Sequence, residues 1–182
     1  MIVVASGDSV SLSLAKAVAS ASSVVILMLL AFDRVLWRMP GFRRLHHRPV
    51  LHGTWKTELR TSYEARKDET IRCYLVIDQK FSRLCARMLF DRSRSSSVSG
   101  DIVRENGRCV LYYIFRSDKN ALEPPSNPPS RGAADLTIAM EPSLHLEGDY
   151  WMEVGTKGTM RTLGYTKTHY DTYAGAAEGD YH

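Results

Sequence analysis

Two different hydrophobic patterns divide the chain. From Ala17 to Phe32, 16 successive residues carry no charge, and the apolar run extends back to Val10 with Lys16 as its one charged residue. A helix needs about 20 residues to cross the hydrocarbon core of a bilayer, and a lysine near one end can extend to the headgroups. The pattern predicts a transmembrane helix over about residues 10–32, within a membrane segment of residues 1–37. A cleaved signal peptide and a buried helix of a soluble fold are the alternatives.

From Leu51 onward the hydrophobic pattern has a period of two. Alternating segments bounded by turn residues predict strands over 53–63, 70–79, 82–90, 93–105, 108–117, 133–141, 145–154 and 157–168. Asn106-Gly107 predicts a tight hairpin turn, and residues 118–132, which hold four of the seven prolines, predict a loop. The pattern indicates an all-β fold over residues 51–168, either a minimal eight-stranded antiparallel β-barrel or a strongly bent sandwich, preceded by the N-terminal transmembrane helix. The tail, residues 169–182, is expected to add one helical turn or to fray.

The charge is concentrated between these two parts. Five arginines and one aspartate lie from Asp33 to Arg48, so this segment accounts for the whole net charge of +4. We interpret residues 38–50 as a basic juxtamembrane linker that contacts anionic lipid, which places the β-domain in the cytoplasm. A solvated basic linker is the alternative. Because the β-domain is neutral overall, its charge does not indicate a DNA or RNA partner, and three scattered cysteines are expected to be reduced thiols.

Catalytic and metal-binding motifs are not found. The six histidines form no H-x-x-x-H, and the cysteines form no C-x-x-C. Neither G-x-S-x-G nor a phosphate-binding G-x-x-x-x-G-K-[ST] occurs. We therefore predict that the protein is not an enzyme and assign no catalytic residue, metal ligand or cofactor.

Polar residues within the strand patterns suggest a binding site instead. Ser93, Ser95, Ser97 and Ser99 alternate, so we expect them to share one face of their strand. The solvent face of an edge strand would have the same pattern, and each strand arginine taken alone fits a surface position. Taken together, guanidinium groups bind phosphate, aromatic rings stack on bases, and hydroxyls hydrogen-bond base edges. The predicted ligand-binding residues are Arg87, Ser95, Ser97, Ser99, Tyr113, Arg116, Trp151 and Arg161.

Gly53-Thr54-Trp55, at the start of the first predicted strand, is interpreted structurally. In lipocalin-type barrels a G-x-W at this place packs its tryptophan across the closed end. We therefore expect Trp55 to fill one end of the barrel rather than to bind ligand.

An ordered set of segments resembles a known family. "FDRVLWR", "RPVLHGTWKTEL", "SRSSSVS", "LYYIFR" and "LEGDYW…TKG" follow one another over most of residues 30–165. Together they resemble the two-transmembrane, β-strand-rich effectors associated with bacterial cGAS-like nucleotidyltransferases. These effectors are membrane-tethered β-barrel receptors of cyclic-oligonucleotide anti-phage signalling (CBASS).

The resemblance implies a function without catalysis. The barrel would bind a cyclic dinucleotide made by a cGAS-like nucleotidyltransferase during infection. The membrane helices would then self-associate and disrupt the bacterial inner membrane, which halts growth. One apolar run is visible here where the family has two. Ser117 stands where the family pattern leads us to expect asparagine, and Ser130 or Arg131 where we expect histidine, which implies a different nucleotide preference.

Two other functions fit the same sequence. A membrane-anchored, lipocalin-like carrier of a small apolar ligand would need an aliphatic interior. An adaptor domain would need no ligand site at all. Arginines and a serine row within strand patterns favour the phosphate-bearing ligand.

Overall fold

The computed structural model describes residues 6–67, 69–119, 130–141 and 143–182. It contains two compact units, one formed by residues 1–47 and 80–82 and the other by residues 48–79 and 83–182. In the first unit, helix α1 (Ser6–Arg34) is followed by a 3-10 turn (Leu36–Arg38) and helix α2 (Pro40–His46). Helix α2 lies within the segment that the sequence analysis interpreted as a linker.

Helix α1 contains a candidate membrane span. Its segment Leu14–Arg34 has 21 residues and a mean hydropathy of 2.0, which is long and apolar enough to cross a bilayer. Leu27 and Leu29 are more than 60% exposed, as are several neighbouring apolar side chains. After the helix, Trp37 is buried, and the centroid of its ring lies 6.1 Å from that of Phe81.

The second unit is a closed antiparallel barrel in which each strand pairs with the next and β8 pairs with β1. The strands are β1 (Gly53–Thr61), β2 (Ile71–Gln79), β3 (Leu84–Leu89), β4 (Ser93–Glu105), β5 (Arg108–Lys119), β6 (Ser130–Ala139), β7 (His145–Met152) and β8 (Lys157–Thr166). A 3-10 turn (Glu64–Arg66) precedes β2. The predicted all-β, eight-stranded barrel with a preceding apolar helix is confirmed, and a sandwich is excluded because the strands close into one ring.

One end of the barrel is filled by side chains. Trp55 is 1% exposed, its indole N–H donates to the carbonyl of Leu51 at 2.9 Å, and its ring lies against Tyr165. Gly53 is required beside them because its φ of 144° is unfavourable for other residues, and a Cβ there would lie 2.4 Å from the Thr166 carbonyl oxygen. The expected structural role of Trp55 is therefore confirmed.

The tail is ordered and covers the outside of β2. It forms a short helix, α3 (Tyr173–Ala177), and Ala176 packs with Tyr74, Val76 and Leu89 of the outer barrel surface. At its end, the backbone of His182 exchanges two hydrogen bonds of 3.0 Å with Tyr165. This cover explains why β2 has buried residues on both faces.

Candidate ligand-binding site

A cavity of about 980 Å³ occupies the end of the barrel opposite Trp55. Protein sites for small ligands commonly measure about 300–1,000 Å³. The walls come from the C-terminal ends of β1, β3, β5 and β7 and the N-terminal ends of β2, β4, β6 and β8. Buried apolar side chains, among them Leu59, Met88 and Met160, line the cavity together with hydroxyl-bearing and charged residues.

A row of three serines crosses the cavity wall. Ser95 of β4 lies directly opposite Ser117 of β5, which lies directly opposite Ser130 of β6. Ser95 and Ser130 are buried, and all three line the cavity. Two more buried residues on other strands, Thr61 and Tyr150, also line the cavity. The barrel interior at this end therefore carries hydroxyl groups among its apolar side chains.

Two of the cavity hydroxyls are unsatisfied. Tyr113 is 3% exposed and Ser130 is 2% exposed, and neither hydroxyl has a hydrogen-bond partner in the described part of the chain. A buried hydroxyl without a partner costs about 1–3 kcal/mol of stability. Both residues line the cavity, so a bound molecule that reaches these hydroxyls could supply the missing partner.

Two buried tyrosines of the cavity, Tyr113 and Tyr150, keep their hydroxyl protons. Burial raises the pKa of Tyr113 well above its ordinary value, and the nearby Cys73 raises it further. Burial also raises the pKa of Tyr150, while a hydrogen bond with Thr61 acts in the opposite direction. Both phenols are therefore neutral hydrogen-bond donors at physiological pH.

Charged side chains line the cavity together with the hydroxyls. Arg66, Arg72 and Arg92 line it, as do Glu69 and Asp91. The arginines exceed the acids by one among the described lining residues. The Arg92 Nε atom lies 3.9 Å from the Asp91 carboxylate. Guanidinium groups at such a site suit a ligand that carries phosphates.

The structure brings together only part of the predicted ligand set. Ser95 and Tyr113 line the cavity. Ser97 is on the same inward face as Phe115, which lies opposite it, but its hydroxyl accepts a hydrogen bond of 2.8 Å from the Ala86 N–H. Ser97 is therefore used to join β3 to β4.

The other five predicted residues lie on the outer surface. Arg87 pairs with Asp171 of the tail at 3.0 Å. Arg161 lies 3.9 Å from Glu147. Residues Arg116, Trp151 and Ser99 are exposed, and none of the five lines the cavity. The alternative that each arginine occupies a surface position agrees with the structure.

A β-bulge explains the position of Ser99. The β4–β5 register shifts between Ser97, which lies opposite Phe115, and Ser99, which lies opposite Ile114. Val98 is the extra residue, and it is 75% exposed. The prediction that four alternating serines share one face is therefore wrong at Ser99, because one inserted residue reverses the alternation.

The predicted ligand-binding set leaves out most of the cavity hydroxyls, although the family resemblance had pointed to position 117 and to position 130 or 131. Ser117 could have been found, since it shares a strand face with Tyr113 and Phe115. Thr61, Ser130 and Tyr150 come from strands far apart in the chain, and only barrel closure brings them to one end. No local pattern marks them as a group.

A histidine cluster lies elsewhere, on the outside of the barrel. The side chains of His52, Asp78 and His169 each offer an atom within 4.8 Å of the others. However, the His52 Nδ1 atom is 3.2 Å from the Gln79 N–H, and the His169 Nε2 atom is 2.9 Å from the Ile77 carbonyl oxygen. These contacts attach the start of the tail to β2.

Comparison with known proteins agrees with this architecture. A family model described as Cap15, cyclic dinucleotide receptor domain, matches residues 46–166. The chain is also similar to CD-NTase-associated protein 15 of Staphylococcus schleiferi, with 26% identity over 132 residues that cover 72% of this chain and 70% of that protein. The resemblance to membrane-tethered CBASS receptors inferred from the sequence is thereby confirmed. The chain belongs to the Cap15 cyclic dinucleotide receptor domain family.

Proposed function

We propose that this protein is a CBASS effector that binds a cyclic dinucleotide in the barrel cavity. The observation that carries the proposal is a pair of buried hydroxyls, on Tyr113 and Ser130, that have no hydrogen-bond partner among the described residues and whose side chains line a cavity of about 980 Å³. The family match and the lining arginines support a ligand with phosphates and bases. The protein acts as a receptor, without catalysing a reaction on the ligand.

The three serines of the cavity wall are proposed to contact the nucleotide. The family resemblance leads us to expect asparagine at Ser117 and histidine at Ser130 or Arg131, and of the last two it is Ser130 that lines the cavity. Short hydroxyls reach less far into the cavity than asparagine or histidine. We therefore propose that the base or sugar lies closer to the β5–β6 wall and that nucleotide preference differs accordingly.

Titration calorimetry on the full chain in detergent micelles tests this function. At least one cyclic dinucleotide in a panel should bind, and its linear counterpart should bind more weakly. Ser130→Ala should weaken binding up to about ten-fold, as expected for one lost hydrogen bond. Ser99→Ala is the matched control, since Ser99 lies on the outer surface, and it should bind with unchanged affinity.

The alternatives have distinct outcomes in the same experiment. If a fatty acid binds and no cyclic dinucleotide does, the protein is a lipocalin-like carrier and the receptor proposal is wrong. If neither class of ligand binds, the cavity has another use.

We further propose that α1 anchors the protein in the bacterial inner membrane with the barrel in the cytoplasm. The apolar span Leu14–Arg34 and the arginines that follow it support this orientation. Ligand binding would promote association of the membrane helices, disrupt the bilayer and arrest growth. The partner that supplies the ligand would be a cGAS-like nucleotidyltransferase.

Growth of bacteria that co-express the protein with an active nucleotidyltransferase tests the membrane step. Loss of membrane potential should accompany growth arrest, and Ser130→Ala should delay both. Ser99→Ala should behave like the unmodified protein. Growth arrest with an intact membrane potential would contradict the disruption mechanism.

A further inference from the structure

The cluster of His52, Asp78 and His169 joins three separate parts of the chain. His52 directly precedes β1, Asp78 lies in β2, and His169 begins the tail. One ring nitrogen of each histidine and a carboxylate oxygen of Asp78 all lie within 4.8 Å of one another. The ring centroids of the two histidines are 4.1 Å apart. Both histidines are half-buried and Asp78 is exposed, so the fold holds the cluster in place and solvent reaches it.

Two hydrogen-bond acceptors face each other within this cluster. The Gln79 backbone N–H donates to His52 Nδ1 at 3.2 Å, so this nitrogen carries a lone pair and no hydrogen. A carboxylate oxygen of Asp78 lies 3.5 Å from the same nitrogen, and an ionised carboxylate can only accept. Neither atom can therefore donate to the other. A cation held between the two lone pairs would make their approach favourable.

The separation of these two acceptors matches that of two ligands of one tetrahedral metal ion. Zinc lies about 2.0–2.2 Å from histidine nitrogen and carboxylate oxygen ligands, so two such ligands are about 3.4 Å apart. The His52 Nδ1 and Asp78 Oδ1 atoms are 3.5 Å apart. An ion at this place would take the His52 lone pair in exchange for the long contact with the Gln79 N–H.

The ring of His169 is oriented in the way that is common among metal-binding histidines. Its Nε2 atom lies 2.9 Å from the Ile77 carbonyl oxygen, and because a carbonyl only accepts, Nε2 carries the hydrogen. The lone pair of the neutral ring is then on Nδ1. Histidine ligands almost always donate their other N–H to such a partner, which fixes the tautomer and the ring orientation. Each imidazole of the cluster therefore has a lone pair for a metal ion without losing a proton.

We propose that His52, Asp78 and His169 bind a divalent transition metal ion, for which zinc is the best match. Two imidazoles and a carboxylate are ligands that zinc accepts, and three protein ligands leave a fourth position for water. The ion fastens the start of the tail to β2 and thereby holds the tail over the outer barrel surface. No sequence motif marks the site, because its ligands come from three segments that are distant in the chain.

Thermal melting of the full chain in detergent micelles tests the site. Saturating zinc chloride, added after removal of metals with EDTA, should raise the melting temperature by about 5 °C, because the ion binds the folded protein. Fresh EDTA should reverse the rise. Magnesium chloride at the same concentration should have no effect, since magnesium prefers oxygen ligands. An equal rise with magnesium, or no rise with zinc, would overturn the proposal.

Substitution of the ligands makes the test specific. Asp78→Asn and His169→Ala should each weaken zinc binding at least about ten-fold in titration calorimetry, because loss of even an outer partner of a ligand costs about 10–100-fold. His145→Ala is the matched control and should bind zinc like the unmodified chain. His145 is also half-buried and lies 3.9 Å from Glu147, but it belongs to no cluster of three ligands in the part of the chain that the structure describes. Unchanged zinc affinity in both ligand variants would show that zinc binds elsewhere.

Trypsin cleavage after the exposed Lys167 reports directly on the start of the tail. Zinc should slow this cleavage in the unmodified chain, and Asp78→Asn should remove the protection. If acidification to about pH 6 slows cleavage relative to Asp78→Asn while zinc does not, a proton joins His52 to Asp78 and the metal site is excluded. The inference is independent of the proposed function, because His52 adjoins Gly53 at the filled end of the barrel and the cavity lies at the other end.

Discussion

Ser117 of β5 lies directly opposite Ser130 of β6 at the cavity end of the barrel. The family resemblance predicts asparagine at position 117 and histidine at position 130 or 131, and Ser130 rather than Arg131 lines the cavity. Because Ser117 pairs with Ser130 across adjacent strands, departures at these two serines alter one wall of one cavity. A change of nucleotide preference would therefore originate at this wall.

Tyr113→Phe is expected to stabilise the ligand-free protein while it weakens binding. The substitution removes a buried hydroxyl that has no partner in the described residues. Removing such a group should raise the free energy of unfolding by about 1 kcal/mol. The same change should weaken cyclic dinucleotide binding by up to about ten-fold. Chemical denaturation and calorimetry measure the two effects.

Tyr112→Phe is the matched control for that variant. Tyr112 lies on the opposite face of β5, and its hydroxyl donates to Glu105 at 3.0 Å. Ligand affinity should not change in this variant. A similar loss of affinity in both variants would contradict a role for Tyr113 in the cavity.

Stability should fall steeply in alkaline solution. The folded protein holds the Tyr113 proton to a higher pH than the unfolded chain, in which a tyrosine has a pKa of about 10. Below pH 10 the folded and the unfolded protein both hold the Tyr113 proton, so ionisation of Tyr113 does not reduce the free energy of unfolding. As the pH rises above 10 the unfolded state loses the proton first, and stability is lost progressively.

Tyr113→Phe should reduce this alkaline loss. Urea denaturation at pH 8 and at pH 11 gives the comparison, and the difference between the two pH values should be smaller in the variant. Cys73 contributes in the same direction, because burial raises its pKa as well. An unchanged pH dependence would show that Tyr113 ionises as readily in the folded protein as in the unfolded chain.

Trp55→Ala should destabilise the barrel by about 3–5 kcal/mol, because it leaves a cavity in a filled core. Trp55→Phe keeps most of the packing but leaves the Leu51 carbonyl without its indole donor. The free energy of unfolding of that variant should fall by less, about 1–2 kcal/mol. Ligand affinity of the Phe variant should be unchanged, since Trp55 lies at the end opposite the cavity. Thermal melting with and without ligand measures both quantities.

Removal of residues 169–182 should expose the outer face of β2. Tyr74 and Val76 would lose their cover, and the truncated protein should melt at a lower temperature and bind hydrophobic dyes. Asp171→Ala, which removes only an exposed ion pair with Arg87, should cost less than about 1 kcal/mol. If the truncation lowers the free energy of unfolding no more than Asp171→Ala does, the packing of the tail on β2 does not stabilise the barrel.

The strands could be predicted from the sequence because polar and apolar residues alternate along most of them. Trp55 could be assigned to one end of the barrel because a G-x-W motif at the first strand of lipocalin-type barrels packs its tryptophan across the closed end. The face of Ser99 could not be predicted, since the bulge at Val98 depends on pairing with β5 and leaves no mark in composition. The residues that line the cavity together with Tyr113 could not be predicted either, because barrel closure brings together strands that are distant in the chain.

The separation of the filled end from the cavity end has a consequence for sequence variation. The buried hydroxyls of Tyr113 and Ser130, which have no partner in the described residues, already lower the free energy of unfolding. Substitutions that remove these hydroxyls therefore need not prevent folding. The residues around Trp55 are packed in the filled end, so substitutions there would destabilise the barrel. Under the proposed function, receptors of this architecture can therefore acquire new nucleotide preferences through changes at the cavity end while the other end preserves the fold.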